Sequence, residues 1–389
     1  GGEAPARGPV RRRRAKPRRA VALAVLAVAG LTAVGIAWRT LGPAGSPGSQ
    51  AALAMAVLPL ENLSGDADQT YFADGITGEL IAGLTRVGGL RVMARGSVLE
   101  FRDSDLTVAQ IADRLGVDRV VTGSILDLDN TLQVSLEIID TAKGFAVWAD
   151  NFQGSSGEVL QLQNRIARAI VEAVKGEVAP EDEAAFAGAQ TVDPAAYREY
   201  LKGKALTDTW GVDEIWNEAL GHFRETARIE PEFAPAYAAQ SEIYNYFGWF
   251  YPEKGYPAMC EAAARKASEL DPDLPEANTA LATYLFLFEN RYAEADSLFG
   301  KALQAAPGDV DVLGLYRMFL MLSGQCDEAV AVARRAAALD PLNFAPSREL
   351  VVTLLNCNAF AESIELVTVL KDVFQGATTH LDYFLAVAY

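Results

Sequence analysis

The spacing of apolar and polar residues changes several times along the chain, and each spacing predicts a different kind of element. Nineteen uncharged residues, Ala20 to Trp38, come first and have the length of a membrane-spanning helix. A continuous apolar run, Leu53 to Leu60, is typical of a strand that is covered on both faces. Apolar residues then recur every four positions and predict an amphipathic helix: Phe72, Ile76, Leu80 and Leu84.

Two helix starts in this part of the chain carry capping signals. Asp66 with Gln69 predicts a capping box at the start of the first amphipathic helix. Thr107 with Gln110 predicts another, at the start of a second helix that Gly116 ends. A short apolar segment lies between the two helices, so the order strand, helix, strand, helix is expected.

The apolar spacing then changes to every second residue. Leu132 to Ile138 is therefore predicted to be a strand with one face toward water, paired with a strand at residues 118–126. A further strand at residues 145–151 and a helix at residues 158–174 follow. Together these elements predict a small α/β layer domain over residues 53–176.

The apolar run Ala20 to Trp38 permits three interpretations: an uncleaved signal-anchor, a cleavable signal peptide, or a buried helix of a soluble domain. Its neighbours favour the anchor, because neither the arginine-rich residues 1–19 nor the flexible linker at residues 39–52 could pack on a buried helix. Residues 1–19 carry a net charge of +7, which predicts a cytoplasmic amino terminus and an exported body. We therefore expect a single-pass protein of the inner (cytoplasmic) membrane, with a periplasmic or extracytoplasmic body.

Charge and composition argue against several kinds of site. The chain has a formal net charge of −17, and the part beyond the basic stub carries −24, so we expect no nucleic acid among its partners. The two histidines, His222 and His380, lie far apart, and the three cysteines lack the spacing of metal ligands. We predict no catalytic residue, no cofactor and no metal. Cys260 is predicted to be a small packing residue, and a disulfide between Cys326 and Cys357 is left open.

Beyond a predicted hinge at residues 177–193, a proline recurs at spacings of 41, 35 and 34 residues. The last two spacings match the tetratricopeptide period, and the first contains an insertion. Small or aromatic residues stand twelve, eight and five positions before most of these prolines, as the repeat requires. Residues 194–389 are therefore predicted to form an all-α repeat solenoid with a concave groove, four repeats and a divergent fifth. The prolines are Pro231, Pro272, Pro307 and Pro341.

Four sequence blocks in order resemble the TolB amino-terminal-like domain: VLPLENLSGD at residues 57–66, YFADGIT at 71–77, LGV at 115–117 and VTGS at 121–124. That domain occurs in bacterial membrane-bound regulators, between a membrane helix and tetratricopeptide repeats. The resemblance implies a small α/β layer domain, then an all-α tetratricopeptide solenoid, with one amino-terminal transmembrane helix. The same arrangement occurs downstream of class III adenylate cyclase domains and of winged-helix DNA-binding domains.

Three sets of residues are candidates for partner contact, with packing or turn formation as the alternative interpretation of each. Resemblance to tetratricopeptide proteins places a peptide groove on the first helix of each repeat: Glu242, Asn245, Thr279, Thr283, Phe286, Met318, Met321 and Arg348. The aromatic-rich insertion offers a second surface: Trp249, Phe250 and Tyr251. The polar segment after the first strand offers a third: Asn62, Ser64 and Asp74.

These features leave functions of different classes open. The first is a non-enzymatic, membrane-anchored signalling scaffold that binds protein or peptide partners through its repeat groove. The alternative is the sensor portion of a class III adenylate cyclase or a winged-helix transcription regulator, with the output domain upstream of residue 1. A soluble adaptor is a third possibility if Ala20 to Trp38 is removed.

Overall fold

A small mixed sheet begins the part of the chain that the structure describes. The computed structural model describes residues 52–66, 69–128, 130–180, 182–186, 191–207, 212–374 and 378–388. Its first elements are β1 (Leu53–Val57), β2 (Glu61–Asn62), α1 (Thr70–Thr85), β3 (Leu90–Val92), α2 (Arg95–Leu99), α3 (Val108–Leu115), β4 (Arg119–Leu128), β5 (Thr131–Asp140), β6 (Phe145–Ser155) and α4 (Val159–Lys175).

The sheet has the strand order β3-β1-β4-β5-β6, and the short β2 also pairs with β4. β1 is parallel to β3 and β4, whereas β4, β5 and β6 are antiparallel neighbours. In β5 the side chains of Leu132 and Ile138 are buried while those of Gln133 and Glu137 are exposed, which confirms the predicted alternation. α1 and α4 pack against each other and against the sheet, so the core lies between these two helices and the strands.

One of the two predicted helix starts is confirmed. Thr107 and Gln110 form a reciprocal capping box, in which the Thr107 N–H donates to Gln110 Oε1 at 2.9 Å, and Gly116 ends the helix with a φ of 62°. The capping box predicted for Asp66 and Gln69 is wrong. α1 begins one residue after Gln69, so Gln69 is itself the cap residue, and its amide donates to the Asp66 carboxylate at 3.1 Å.

The second part of the described chain is helical and forms a tetratricopeptide-like solenoid, as predicted. Successive helices pack in pairs, and the first helices α7, α9, α11 and α13 also pack against one another in succession, which makes them the inner layer. The helices are α5 (Pro194–Thr207), α6 (Asp213–Ile229), α7 (Ala234–Phe250), α8 (Tyr256–Leu270), α9 (Pro275–Phe288), α10 (Tyr292–Ala305), α11 (Val310–Leu322), α12 (Cys326–Leu339), α13 (Phe344–Asn356), α14 (Phe360–Val373) and α15 (Thr378–Ala388).

The residues at the repeat's packing positions are buried in all four predicted repeats. Small side chains there allow the two helices of a pair to approach closely, and a larger aromatic fills the gap where one is present. Cys260 is one of these residues, which confirms its predicted packing role, and burial raises the pKa of its thiol to about 12. The set is Ala219, Phe223, Thr226, Cys260, Ala264, Ala267, Ala295, Phe299, Ala302, Ala329, Ala333 and Ala336.

The turn at residues 339–343, here called the docking turn, connects α12 to α13 and contacts the α/β domain. The Ala94 N–H donates to the Leu339 carbonyl at 2.8 Å, and the Leu342 N–H donates to Ser97 Oγ at 2.9 Å. These bonds join positions that are far apart in sequence. The solenoid is therefore attached to the α/β domain at this turn as well as through α5, which packs against α1.

Cys326 and Cys357 form a disulfide, with Cα atoms 5.5 Å apart. The bond closes the α12–α13 hairpin at the end opposite the docking turn. The predicted anchor, Ala20 to Trp38, lies outside the described residues together with the basic stub. Within the residues that are described, no helix is both long and apolar enough to cross a bilayer.

Candidate functional site

The inner layer of the solenoid is the first candidate surface. Met318 and Met321 lie one turn apart on α11 and are half-buried, so both thioether side chains remain accessible. On α7, Glu242 is exposed and Asn245 is half-buried. The Asn245 Oδ1 atom is buried and has no hydrogen-bond donor in the described part of the chain. Glu242, Met318 and Met321 therefore keep part of their surface exposed, whereas the Asn245 acceptor atom is enclosed by the protein.

Three of the predicted groove residues are buried inside the repeats instead. The Thr279 and Thr283 hydroxyls each donate to the backbone carbonyl one turn earlier on α9, at 2.8 Å, so both hydroxyls already have a hydrogen-bond acceptor within the helix. Phe286 is only 3% exposed and packs edge-on against Phe319, with ring centroids 5.5 Å apart. Their assignment as groove contacts is therefore wrong, because adjacent helices cover this face of α9.

The last predicted groove residue, Arg348, belongs to a charged network that sequence reasoning missed. Glu349 accepts from Arg348 at 2.6 Å through one carboxylate oxygen and from Arg317 at 2.6 Å through the other. Arg317 is almost fully buried between α11 and α13 and also donates to Thr353 Oγ1 at 3.0 Å. Burial lowers the pKa of Arg317, and the nearby Glu349 charge opposes that shift. The arginine on each helix was visible in the sequence, but their shared carboxylate depends on the packing of the two helices.

A group of charges lies where α5 and the inner helices meet α1. Burial alone would lower the pKa of the Lys204 amine, but the surrounding carboxylates, led by Asp311 and Glu242, outweigh it and raise that pKa. Partial desolvation, together with the charge of Asp311, raises the pKa of Glu242 to about 7. Several carboxylates therefore surround a single lysine at this end of the inner face.

The residues of the candidate turn site, Asn62, Ser64 and Asp74, have two separate structural roles. Asn62 Oδ1 accepts from the Ser64 N–H at 3.0 Å, and Asn62 Nδ2 donates to the Asp66 carbonyl at 2.8 Å, so these side chains hold the turn after β2. Asp74 is buried on α1 and forms an ion pair with Arg102. Burial raises the pKa of Asp74, while Arg102 opposes the shift. These contacts account for all three residues as turn and packing elements.

The aromatic insertion divides into a packed part and an exposed part. Phe247 is buried, and the Tyr251 hydroxyl donates to Asp213 Oδ2 at 2.7 Å, which fixes the ring against α6. Trp249 and Phe250, at the end of α7, are 58% and 54% exposed. Some rings of the insertion therefore pack on neighbouring helices, as predicted, while Trp249 and Phe250 remain on the surface, and their contact with a partner stays a prediction.

Among the residues that the structure describes, no group of three or more His, Cys, Asp or Glu side chains is arranged to hold a metal ion. His222 is paired with a carboxylate instead, since its Nδ1 lies 2.6 Å from Glu199 Oε2. Sequence reasoning missed this pair, which joins α5 to α6.

Parts of the chain are similar to known proteins. A family model described as HilA/YgeH-like transcriptional regulator, second domain, matches residues 50–169. The protein named adenylate cyclase 3 of Rhizobium meliloti (strain 1021) is 29% identical over 237 residues, 59% of this chain and 40% of that protein. The Tol-Pal system protein TolB of Methylococcus capsulatus is 29% identical over 133 residues, 34% of this chain and 30% of that protein.

Among solved structures, TTC0263, a thermophilic TPR protein of Thermus thermophilus, is 14% identical. The match covers 50% of this chain and 98% of that one, with a TM-score of 0.41. The chain spans about two fifths of the length of the first curated relatives that it matches.

Proposed function

We propose that this chain is a non-enzymatic signalling scaffold whose solenoid binds an extended protein segment along its inner face. The observation that supports this most is the pair of accessible methionines, Met318 and Met321, on an inner helix. Methionine is flexible and polarizable, so it adapts to varied apolar side chains.

Substitution of the two methionines tests the groove. We expect Met318→Glu with Met321→Glu to abolish capture of a partner that co-purifies and crosslinks with the wild-type chain, because two carboxylates replace apolar contact area. Leu322→Glu is the matched control, since Leu322 is an exposed apolar residue next to Met321. Thermal unfolding of both variants must resemble that of the wild type. A partner that binds the double variant as well as the control would refute the groove.

We also propose that the body is exported and anchored by Ala20 to Trp38. The disulfide between Cys326 and Cys357 supports this placement, because disulfides persist in oxidising compartments. Carbonate washing of membranes tests the anchor, and protease digestion of spheroplasts tests which side the body faces. Release by carbonate, or a body protected from external protease, would contradict the proposal.

A second function is favoured by the comparisons. The match of residues 50–169 to the second domain of a transcription regulator, and the similarity to a protein named adenylate cyclase, suggest the sensor portion of such a regulator. The TolB-like interpretation of the α/β domain belongs to the same proposal and rests on the four sequence blocks at residues 57–66, 71–77, 115–117 and 121–124. The genomic sequence upstream of residue 1 tests it: paired aspartates in a domain of cyclase size would favour a cyclase, and a helix-turn-helix pattern a transcription regulator.

A further inference from the structure

The two edges of the sheet differ in strand length and in the residues that contact them. At one edge, β3 is three residues long, and the chain directly after it donates the Ala94 N–H to the Leu339 carbonyl of the docking turn. At the other edge, β6 is eleven residues long and pairs only with β5 in the described part of the chain. The docking turn therefore contacts the chain directly after the short edge strand, whereas the long edge of β6 is unpaired within the described residues.

β6 carries few of the features that normally block an edge strand. Its sequence, FAVWADNFQGS, has no proline and a single charge, Asp150. A bulge opposite Ile138 and Ile139 interrupts the pairing at its start, and Arg165 donates to the Gln153 carbonyl at 2.8 Å near its end. Residues 148–152 remain between them. That length is close to the most common strand length in globular proteins.

The side chains at the start of β6 add exposed apolar surface. Phe145 and Val147 are 60% and 41% exposed. One acidic side chain, the exposed Asp150, lies on the edge strand itself; Glu137 of β5 lies on the other face of the sheet and accepts from Thr122 of β4 at 3.1 Å. A second copy of the chain would bring the same Asp150 carboxylate and a body charge of −24 against this edge, so charge disfavours self-pairing.

We propose that the open edge of β6 binds an extended, basic segment of a partner protein by β-strand addition. The partner's backbone pairs with the outward N–H and C=O groups, which belong to alternate residues of 148–152, and its basic side chain lies near Asp150, whose Oδ1 accepts from the Asn151 N–H at 2.8 Å. Its apolar side chains cover Phe145 and Val147. This surface is separate from the inner face of the solenoid and does not depend on the groove.

The test uses the full chain with its disulfide intact and a synthetic octapeptide of alternating valine and threonine with two lysines. Binding is followed by fluorescence anisotropy, and amide hydrogen exchange of residues 148–152 is measured with and without peptide. We expect saturable binding and slower exchange of those amides in this segment that do not bond to β5. The same peptide with alternate backbone nitrogens methylated keeps its side chains but loses donors, and we expect about tenfold weaker binding or more.

Charge is tested by Asp150→Lys, for which we expect about tenfold weaker binding at low salt. The matched control is Asp105→Lys, an exposed aspartate in the loop between α2 and α3, which should bind as the wild type does. Equal binding of the methylated peptide, or an equal effect of both aspartate variants, would overturn the proposal. So would a dimer in sedimentation with the β6 amides already protected, because the edge would then be occupied by a second copy. The proposal that the solenoid groove binds a partner is tested separately by the Met318 and Met321 variants. Those variants should bind this peptide as the wild type does.

Discussion

Reduction of the disulfide is expected to destabilise the last repeats more than any other part of the molecule. Cys326 and Cys357 are separated by 31 residues. In the chain-entropy treatment, a cross-link over a loop of this length restricts the unfolded chain by about 12 cal/mol/K, which corresponds to about 3.7 kcal/mol at 25 °C. Repeats contact mainly their neighbours, so the loss falls on the α12–α13 hairpin and decreases with distance from it.

Hydrogen exchange measures this loss locally, which suits a solenoid that need not unfold in one step. Amides in α12 and α13 of the oxidised chain are compared with those of the reduced chain and of the Cys326→Ser, Cys357→Ser double variant. We expect the opening free energy of these helices to fall by about 2–4 kcal/mol, with β5 and α4 unchanged. Cys260→Ala is the control, because this buried thiol is not in a disulfide.

Two results would refute this reasoning. If the reductant has no effect on exchange in the wild type, the two cysteines are not bonded in solution. If the reductant changes the double variant as much as the wild type, the effect does not come from this disulfide.

Three further predictions concern single residues. Gly96→Ala should lower the free energy of unfolding in urea by about 1–3 kcal/mol, because the new Cβ would lie too close to Asn343 Nδ2 in the docking turn. The control Gly300→Ala, whose new Cβ meets no neighbour, should be neutral or stabilising in the same measurement. Asp74→Ala should cost about 1–3 kcal/mol in thermal unfolding and leave partner binding intact, and lost binding with unchanged stability would contradict its structural role. The raised pKa of Glu242 favours its protonated form in the folded chain, so this contribution to stability is complete below pH 4.5 and is lost as the pH rises through about 7. Glu242→Gln should therefore equal the wild type in stability at pH 4 and exceed it at pH 8, by under about 1 kcal/mol because the side chain reaches water. Equal stability of the two proteins at both pH values would contradict the pKa shift.

The local elements could be predicted from the sequence because each depends on residues that are close in the chain. The alternation in β5 needs only a two-residue period, and the capping box of Thr107 needs only Gln110 three positions later. The packing residues of the repeats could be predicted for the same reason, since their distance from each proline is fixed. Asp66 shows the limit of such signals: its pattern suits a cap, but the helix begins further on.

Exposure of the groove residues was decided by tertiary structure. Glu242, Thr283 and Met318 each stand eleven positions after a repeat proline, so the sequence makes them equivalent. In the fold Glu242 is exposed, Thr283 is buried and Met318 lies between, because each inner helix has different neighbours above and below it.

By itself, the sequence determined the order of strands and helices, the repeat register and the acidic character of the body, all of which follow from local periodicity and composition. Only the tertiary structure decided that Cys326 and Cys357 pair, that the docking turn attaches to the α/β domain, and that no other described strand pairs with the outer edge of β6. Each of these features depends on segments that are distant in sequence. The local spacing of residues does not determine which distant backbone groups and side chains come into contact.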